Sequence, residues 1–360
     1  MRPAAAAVLV VFVAFAQLGA ACSRSTESTP QGAAPTAEPR VASPVTASEP
    51  AEGSAPAPAP ARPPGPQPMR ATVTLVEPGK PPRKRLRYSF RVQPKPQNEA
   101  LRLELRTSLS QAVGDAGVPD ITLPPVTIVI AIEPQSVTAE GDLLTYAWHV
   151  VRATSSPGSS PAQIAEGMRA EVAAVGHLSG TGVVDWQGIS RGVSTDPPDA
   201  DASDPGSRSV GADGTGQMVE QIRQTLRDMA APFPMEDVGA GARWTKASEL
   251  VSKEAVLTQT DAFTLTSLQG GTGTLDDVLA QTAPAQVLRG PGLPDGAEAR
   301  MESMLASGQA KTRFDLSRLV PQTKFDGSTT MVLSSAAPRE EARRMTMSLR
   351  IGMTVSGTLD

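Results

Sequence analysis

Cysteine is nearly absent: the chain has one in 360 residues, at position 22. A single thiol excludes an intramolecular disulfide, a thiolate zinc site and a Cys-x-x-Cys redox pair. Histidine occurs only as His149 and His177. Two histidines without thiolates make a poor transition-metal site, so no metal or cofactor is expected. Aromatic residues are 3% of the chain, which leaves the core to Val, Leu, Ile, Ala and Met. A basic excess is missing too. Lys and Arg number 33 against 37 Asp and Glu, for a formal charge of −4, and this argues against nucleic acid as a partner.

Recognised catalytic motifs are also lacking. There is no Gly-x-Ser-x-Gly elbow. Gly211-Ala212-Asp213-Gly214-Thr215-Gly216 runs into a helical pattern but has neither the dinucleotide fingerprint nor the Walker Lys-Ser/Thr. Asp199, Asp201 and Asp204 miss the 1-3-5 spacing and the closing Glu of a calcium loop. The sequence therefore points away from an enzyme.

What is present begins at the amino terminus. Arg2 precedes an apolar run, Ala4 to Ala16, of the length of a signal h-region and short for a spanning helix. Leu18-Gly19-Ala20-Ala21-Cys22 then resembles the bacterial lipobox, with Leu18 one residue earlier than usual. That resemblance implies a signal peptide over 1–21 and lipidation of Cys22. Ordinary cleavage near Ala20 or Ala21 is the alternative. Ser23 in place of Asp implies, by the same resemblance, the outer membrane, with the domain facing the periplasm or the cell surface. Residues 22–68, with Ala55-Pro56-Ala57-Pro58-Ala59-Pro60 and Pro63-Pro64-Gly65-Pro66, bury too little apolar surface to fold and read as a disordered tether.

From Met69 the pattern is that of a sheet. Leu86, Tyr88, Phe90 and Val92 alternate with Arg85, Arg87, Ser89 and Arg91; Leu101, Leu103 and Leu105 alternate with Arg102, Glu104 and Arg106. Pro94 to Asn98 between them reads as a turn, so the two runs are expected to form a hairpin. Met345, Met347, Leu349, Ile351 and Met353 alternate with polar residues in the last strand. Further strands are expected at 71–76, 126–132, 143–151, 178–186, 256–268, 312–319 and 329–333. The run 143–151 is expected near the sheet centre, with His149 packed inside it.

Two helices interrupt the strands. Pro161 opens one, with Ile164, Met168, Val172 and Val175 on one face. Gly216 precedes the other, with Met218, Ile222, Leu226 and Met229 in a stripe. A mobile loop is expected over 194–215. Many antiparallel strands, two helices and no βαβ rhythm give an α+β class, one domain over 69–360 built on a large, curved, half-barrel-like antiparallel sheet.

Pro232-Phe233-Pro234 and Val238-Gly239-Ala240-Gly241-Ala242-Arg243-Trp244 resemble the signature of an uncharacterised family of bacterial envelope lipoproteins, a domain of unknown function in high-GC Gram-negatives. The segments Phe263–Leu268 and Phe314-Asp315-Leu316 follow in similar order. The resemblance covers 69–360 and implies no catalytic residue. The architecture is also similar to that of the lipoprotein-carrier half-barrels.

Two surfaces are candidates for function. Met345, Met347, Leu349, Ile351 and Met353 would line a pocket for an apolar or amphiphilic ligand, or fill the core. Arg85, Arg87, Arg91, Arg102 and Arg106 would form a basic stripe on the wet face of the hairpin, toward anionic lipid or an acidic envelope partner. The two functional readings are a ligand-binding lipoprotein and a structural or protein-docking lipoprotein with a filled core.

Overall fold

Strand propensity and period-two alternation dominate the chain beyond the proline-rich segment, and they build one sheet. The computed structural model describes residues 71–90, 99–113, 116–158, 160–196, 212–251, 256–288, 298–336 and 343–357. Cys22, Arg91 and the aspartates at 199, 201 and 204 lie outside them.

In chain order the elements are β1 (Thr72–Glu77), β2 (Lys84–Arg85), β3 (Glu99–Val113), β4 (Ala116–Thr122), β5 (Val126–Val137), β6 (Leu143–Ser155), α1 (Ala162–Ala174), β7 (Ser179–Asp185), β8 (Ser190–Thr195) and α2 (Ala212–Arg227). They continue with β9 (Asp237–Val238), β10 (Arg243–Val251), β11 (Val256–Gln269), β12 (Thr272–Ala283), β13 (Gln286–Leu288), β14 (Glu298–Asp315), β15 (Gln322–Ala336) and β16 (Arg343–Ser356). The 14-stranded sheet runs β1-β10-β11-β12-β14-β15-β16-β3-β5-β6-β7-β8, with β13 on β14 and β4 on β3. The path starts at β1 and ends at β8 without closing, and its neighbours are antiparallel. This is the open, half-barrel-like α+β architecture that the alternation implies.

Glycine facing an aromatic ring is the recurring device of its inner surface. Tyr146 stands opposite Gly182 and Trp148 opposite Gly180; Phe314 stands opposite Gly273. A Cβ at any of these glycines would overlap the facing ring. Gly308 and Gly327 pair directly, and Phe325 lies over both. Rings laid across glycines fill the space a missing side chain leaves and let a sheet curl without a void.

The hairpin expected between Leu86–Val92 and β3 does not form. Arg102 of β3 already has Ser356 of β16 on one side and Val129 of β5 on the other, so no lateral position remains. Among the described residues 78–90, only Lys84 and Arg85 are in a strand, paired with β9. Residues 86–90 instead bridge the interior. The Tyr88 N–H donates to Trp186 O at 2.9 Å and the Ser89 N–H to Leu316 O at 2.8 Å. Around Tyr88 gathers an aromatic group: Phe90, Phe233, Trp244, Phe263 and Phe314 connect through ring centroids 5.0 to 6.4 Å apart.

Both helices appear. Pro161 caps α1, which buries Ala165, Met168 and Val172 against β6. Helix α2 begins at Ala212 rather than after Gly216, so 212–215 are helical and 194–195 belong to β8. Strand β6 is third from the β8 edge, not central. His149 points outward, its side chain 49% exposed and 4.0 Å from Glu133. Apolar character on both sides of that run, which suggested a packed imidazole, does not prevent one side from facing solvent.

Candidate functional site

The inner surface of the sheet is where side chains of distant strands converge, and α2 lies on it. The expected stripe Met218, Ile222, Leu226 and Met229 is buried. A second stripe, Gln221, Gln224, Thr225 and Asp228, is buried as well. Spacings of three and four put these on one helix face. Burying polar groups is costly unless they are partnered, and the sheet supplies polar groups in return. Lys246, Gln259, Asp261, Asp277 and Gln281 sit at inward positions of β10, β11 and β12, all under 9% exposed.

The two sets meet at Asp228. Lys246 Nζ donates to Asp228 Oδ1 at 2.9 Å, and Gln224 Nε2 donates to Asp228 Oδ2 at 2.7 Å. On the sheet, Gln281 Nε2 donates to Gln259 Oε1 at 2.6 Å, and Gln259 Nε2 reaches Asp261 at 3.0 Å. Lys246 and Asp261 are register partners. The chain just past α2 is also fixed. Trp244 Nε1 donates to Pro232 O at 3.0 Å, the Ala231 N–H to the Tyr88 hydroxyl at 2.9 Å, and Gln187 Nε2 to Phe233 O at 3.1 Å.

The middle of α2 meets an apolar seam. Met218 and Gln221 of α2, Met168 of α1, and Leu103, Leu105, Thr107, Leu123, Val126 and Ile128 of the sheet side enclose a cavity of about 30 Å³. That volume holds one or two water-sized bodies. The helix is thus tied by charge and hydrogen bonds at its carboxyl end and by apolar contact at the seam.

The residues singled out in the last strand divide between two places. Ile351 and Met353 pair with Thr107 and Leu105, which line the seam; both are buried, as is Leu349. Met347 is buried and Met345 partly so, but they pair with Gln111 and Val113 at the other end of β3. All five face inward.

The basic residues do not form one stripe. Arg85 lies on β2, 4.0 Å from Asp237. Arg87 pairs with Asp142 and sits over the Trp186 ring at 5.6 Å. Arg102 lies 3.0 Å from Glu104, and Arg106 is exposed on β3. Because 86–90 bridge the interior instead of pairing with β3, the first two arginines and the last two belong to different elements, and three of the four stand beside carboxylates.

The buried polar residues were not singled out from sequence, yet they leave a signal there. Gln259 and Asp261 occupy the same phase as Leu257, Phe263 and Leu265; Asp277 and Gln281 share the phase of Leu275 and Leu279. A polar residue on the apolar beat of a strand marks an interior that is not purely apolar.

Fold and site together define an open antiparallel half-barrel with a helix seated on its inner face. No family model matches the chain, and no curated protein does. Among solved structures, the chain is similar to the crystal structure of Pseudomonas aeruginosa OccK8 (OprE), covering 73% of this chain and 99% of that one at 8% identity and a TM-score of 0.16. A likeness at that score carries no argument about fold or function.

Proposed function

We propose that the protein is a non-enzymatic lipoprotein of the cell envelope, anchored through Cys22 to the outer membrane, that binds an apolar or amphiphilic ligand between its helices and its sheet. The observation that supports this reading is the apolar seam. It is lined from three sides by side chains that bring no charge, two of them the adaptable methionines Met168 and Met218. The present volume is far too small for an alkyl chain, so binding requires the seam to widen. The asymmetric attachment of α2 suits that. Its carboxyl end is pinned by Lys246, while Met218, earlier in the helix, meets the apolar side chains of the seam.

The test is direct. Full-length protein is purified from native membranes, and co-purifying amphiphiles are identified by mass spectrometry. A solvatochromic alkyl probe is then titrated against wild type and Leu123→Trp, which fills the seam. The reading expects a bound amphiphile and probe binding that Leu123→Trp weakens. Probe binding unchanged by Leu123→Trp overturns it.

The size of the cavity favours one other reading, a structural lipoprotein that docks an envelope protein and has a filled core. The outer face offers a surface for it. Ala247, Thr260, Ala280, Ser307 and Ser328 form one uncharged row across five strands, beside Val278 and Leu305, which are 55% and 62% exposed. Absence of any co-purifying amphiphile, together with loss of a cross-linked envelope protein on Leu305→Glu, would select this reading.

A further inference from the structure

Methionine is concentrated in one place on the inner surface. Met304 of β14 pairs with Met331 of β15, and Met331 pairs with Met347 of β16. These three form a single row across adjacent strands, and each is 3 to 4% exposed. In the next row Met301 pairs with Leu333, and Leu333 with Met345. Five of the chain's 12 methionines therefore fall in two neighbouring rows of three strands.

A backbone irregularity creates this. Alternation alone would put Met301 and Met304 on opposite faces, because they are three residues apart. The register shifts between Met301 and Ser303, so one residue is inserted in β14 and the phase reverses. Both methionines then face inward, 2% and 4% exposed. A bulge re-aims side chains in this way without ending the strand.

We infer that the row Met304–Met331–Met347, with Met301 and Met345 beside it, is a binding site for a soft monovalent cation, Cu(I) in particular. Directly opposed residues on one face of an antiparallel pair have Cβ atoms about 4.5–5.5 Å apart. Each thioether hangs on an unbranched, rotatable stem, so three side by side can turn their sulfurs toward one point. Thioethers are neutral, soft ligands that select Cu(I) over Zn(II), Mg(II) and Ca(II). The absence of carboxylates, thiols and imidazoles from the two rows strengthens that selectivity. Met345 is only partly buried, which gives an ion a route to the row. The site lies away from the seam between the helices and the sheet, and it does not depend on the amphiphile reading.

The experiment uses the full chain carrying Cys22→Ser, so that the thiol contributes nothing. Cu(I) is titrated anaerobically against the chromophoric chelator bicinchoninate, with Ag(I) as the probe that has no redox chemistry. The expected result is one equivalent of Cu(I) or Ag(I) withheld from the chelator and no response to Zn(II). Thioethers release no proton on binding, so retention is expected to be flat from pH 5 to 8, where a histidine site would weaken with acid. The variants are Met331→Leu alone and Met304→Leu, Met331→Leu and Met347→Leu together. These are volume-conserving changes that cores tolerate, and circular dichroism checks the fold. The single change should weaken retention by more than about tenfold, the loss typical even of changes outside the ligand set, and the triple change should abolish it. Met168→Leu with Met218→Leu is the control and should leave retention unchanged. Failure of the Cys22→Ser chain to compete with bicinchoninate, equal retention by the folded Met331→Leu variant, or retention that falls with acid would each overturn the site.

Discussion

Lys246 Nζ lies 2.9 Å from Asp228 Oδ1, with both side chains at most 10% exposed, and this pair joins the end of α2 to the inner face of β10. A buried charge left without its partner is the expensive case, whereas removing both partners is not. Lys246→Met is therefore expected to cost about 3–5 kcal/mol in a urea titration. Lys246→Met combined with Asp228→Leu should cost clearly less than the sum of the two single changes. Strict additivity would show that the two side chains do not act as a pair.

Glu99 controls a pH dependence. Its oxygens accept the N–H of Leu319 at 3.1 Å and of Val320 at 2.8 Å. Burial raises its pKa from the ordinary 4.5 more than those bonds and Arg318 lower it, and Asp315 adds to the rise. A carboxyl whose folded pKa exceeds its unfolded value binds more protons in the folded state. Its contribution is then full below 4.5 and is lost as pH rises through the raised value. Glu99→Gln stays neutral and should remove this loss, flattening the urea midpoint over that window. It leaves one backbone N–H without an acceptor, which costs about 1–3 kcal/mol at every pH. Parallel pH profiles for wild type and Glu99→Gln would contradict the assignment.

Tyr146 and Gly182 depend on each other. A Cβ on Gly182 would overlap the phenol ring, so Gly182→Ala is expected to destabilise by about 1–3 kcal/mol, and Tyr146→Leu should relieve much of this. The Tyr146 hydroxyl is itself buried with no hydrogen-bond partner among the described residues. Removing it in Tyr146→Phe should raise the melting temperature. A drop would reveal a partner, such as an ordered water, that the hydroxyl serves.

His149→Ala is expected to change stability by no more than about 0.5 kcal/mol, as for surface substitutions away from special features, because the imidazole faces solvent beside Glu133. A cost of several kcal/mol in thermal denaturation would mean that the ring is packed after all.

Cys22→Ser is expected to release the protein from membranes and to abolish labelling by a fatty-acid probe. Fractionation by ultracentrifugation reads both. A wild-type chain that is soluble and carries a free thiol would remove the anchor from the proposed function.

The site was legible in parts. Phe233 and Trp244 belong to the two motifs that carried the resemblance, and both are fully buried. The inward set of β16 was readable from alternation alone, since one face of a long strand must be apolar when it is buried. Strands β10 and β12 were harder. Lys246 interrupts the apolar phase of the first, and Asp277 and Gln281 that of the second, and a period-two search discounts a run for such interruptions, although they are the feature that distinguishes this interior.

By itself the sequence determined the class of the fold, the two helices and which residues of most strands face inward, because alternation and helical spacing are local properties of the chain. Tertiary structure decided the partners. Nothing local tells β3 that it lies between β16 and β5, or keeps Leu86–Phe90 out of the sheet as an interior bridge, because pairing is a contest among long-range registers. The same holds for the phase reversal at the bulge in β14, which gathers Met301 with Met304, and for the polar stripe of α2, whose burial is tolerated because Lys246, seven strands after the seam-lining β3 in sequence but joined to it through the helix, arrives to meet Asp228.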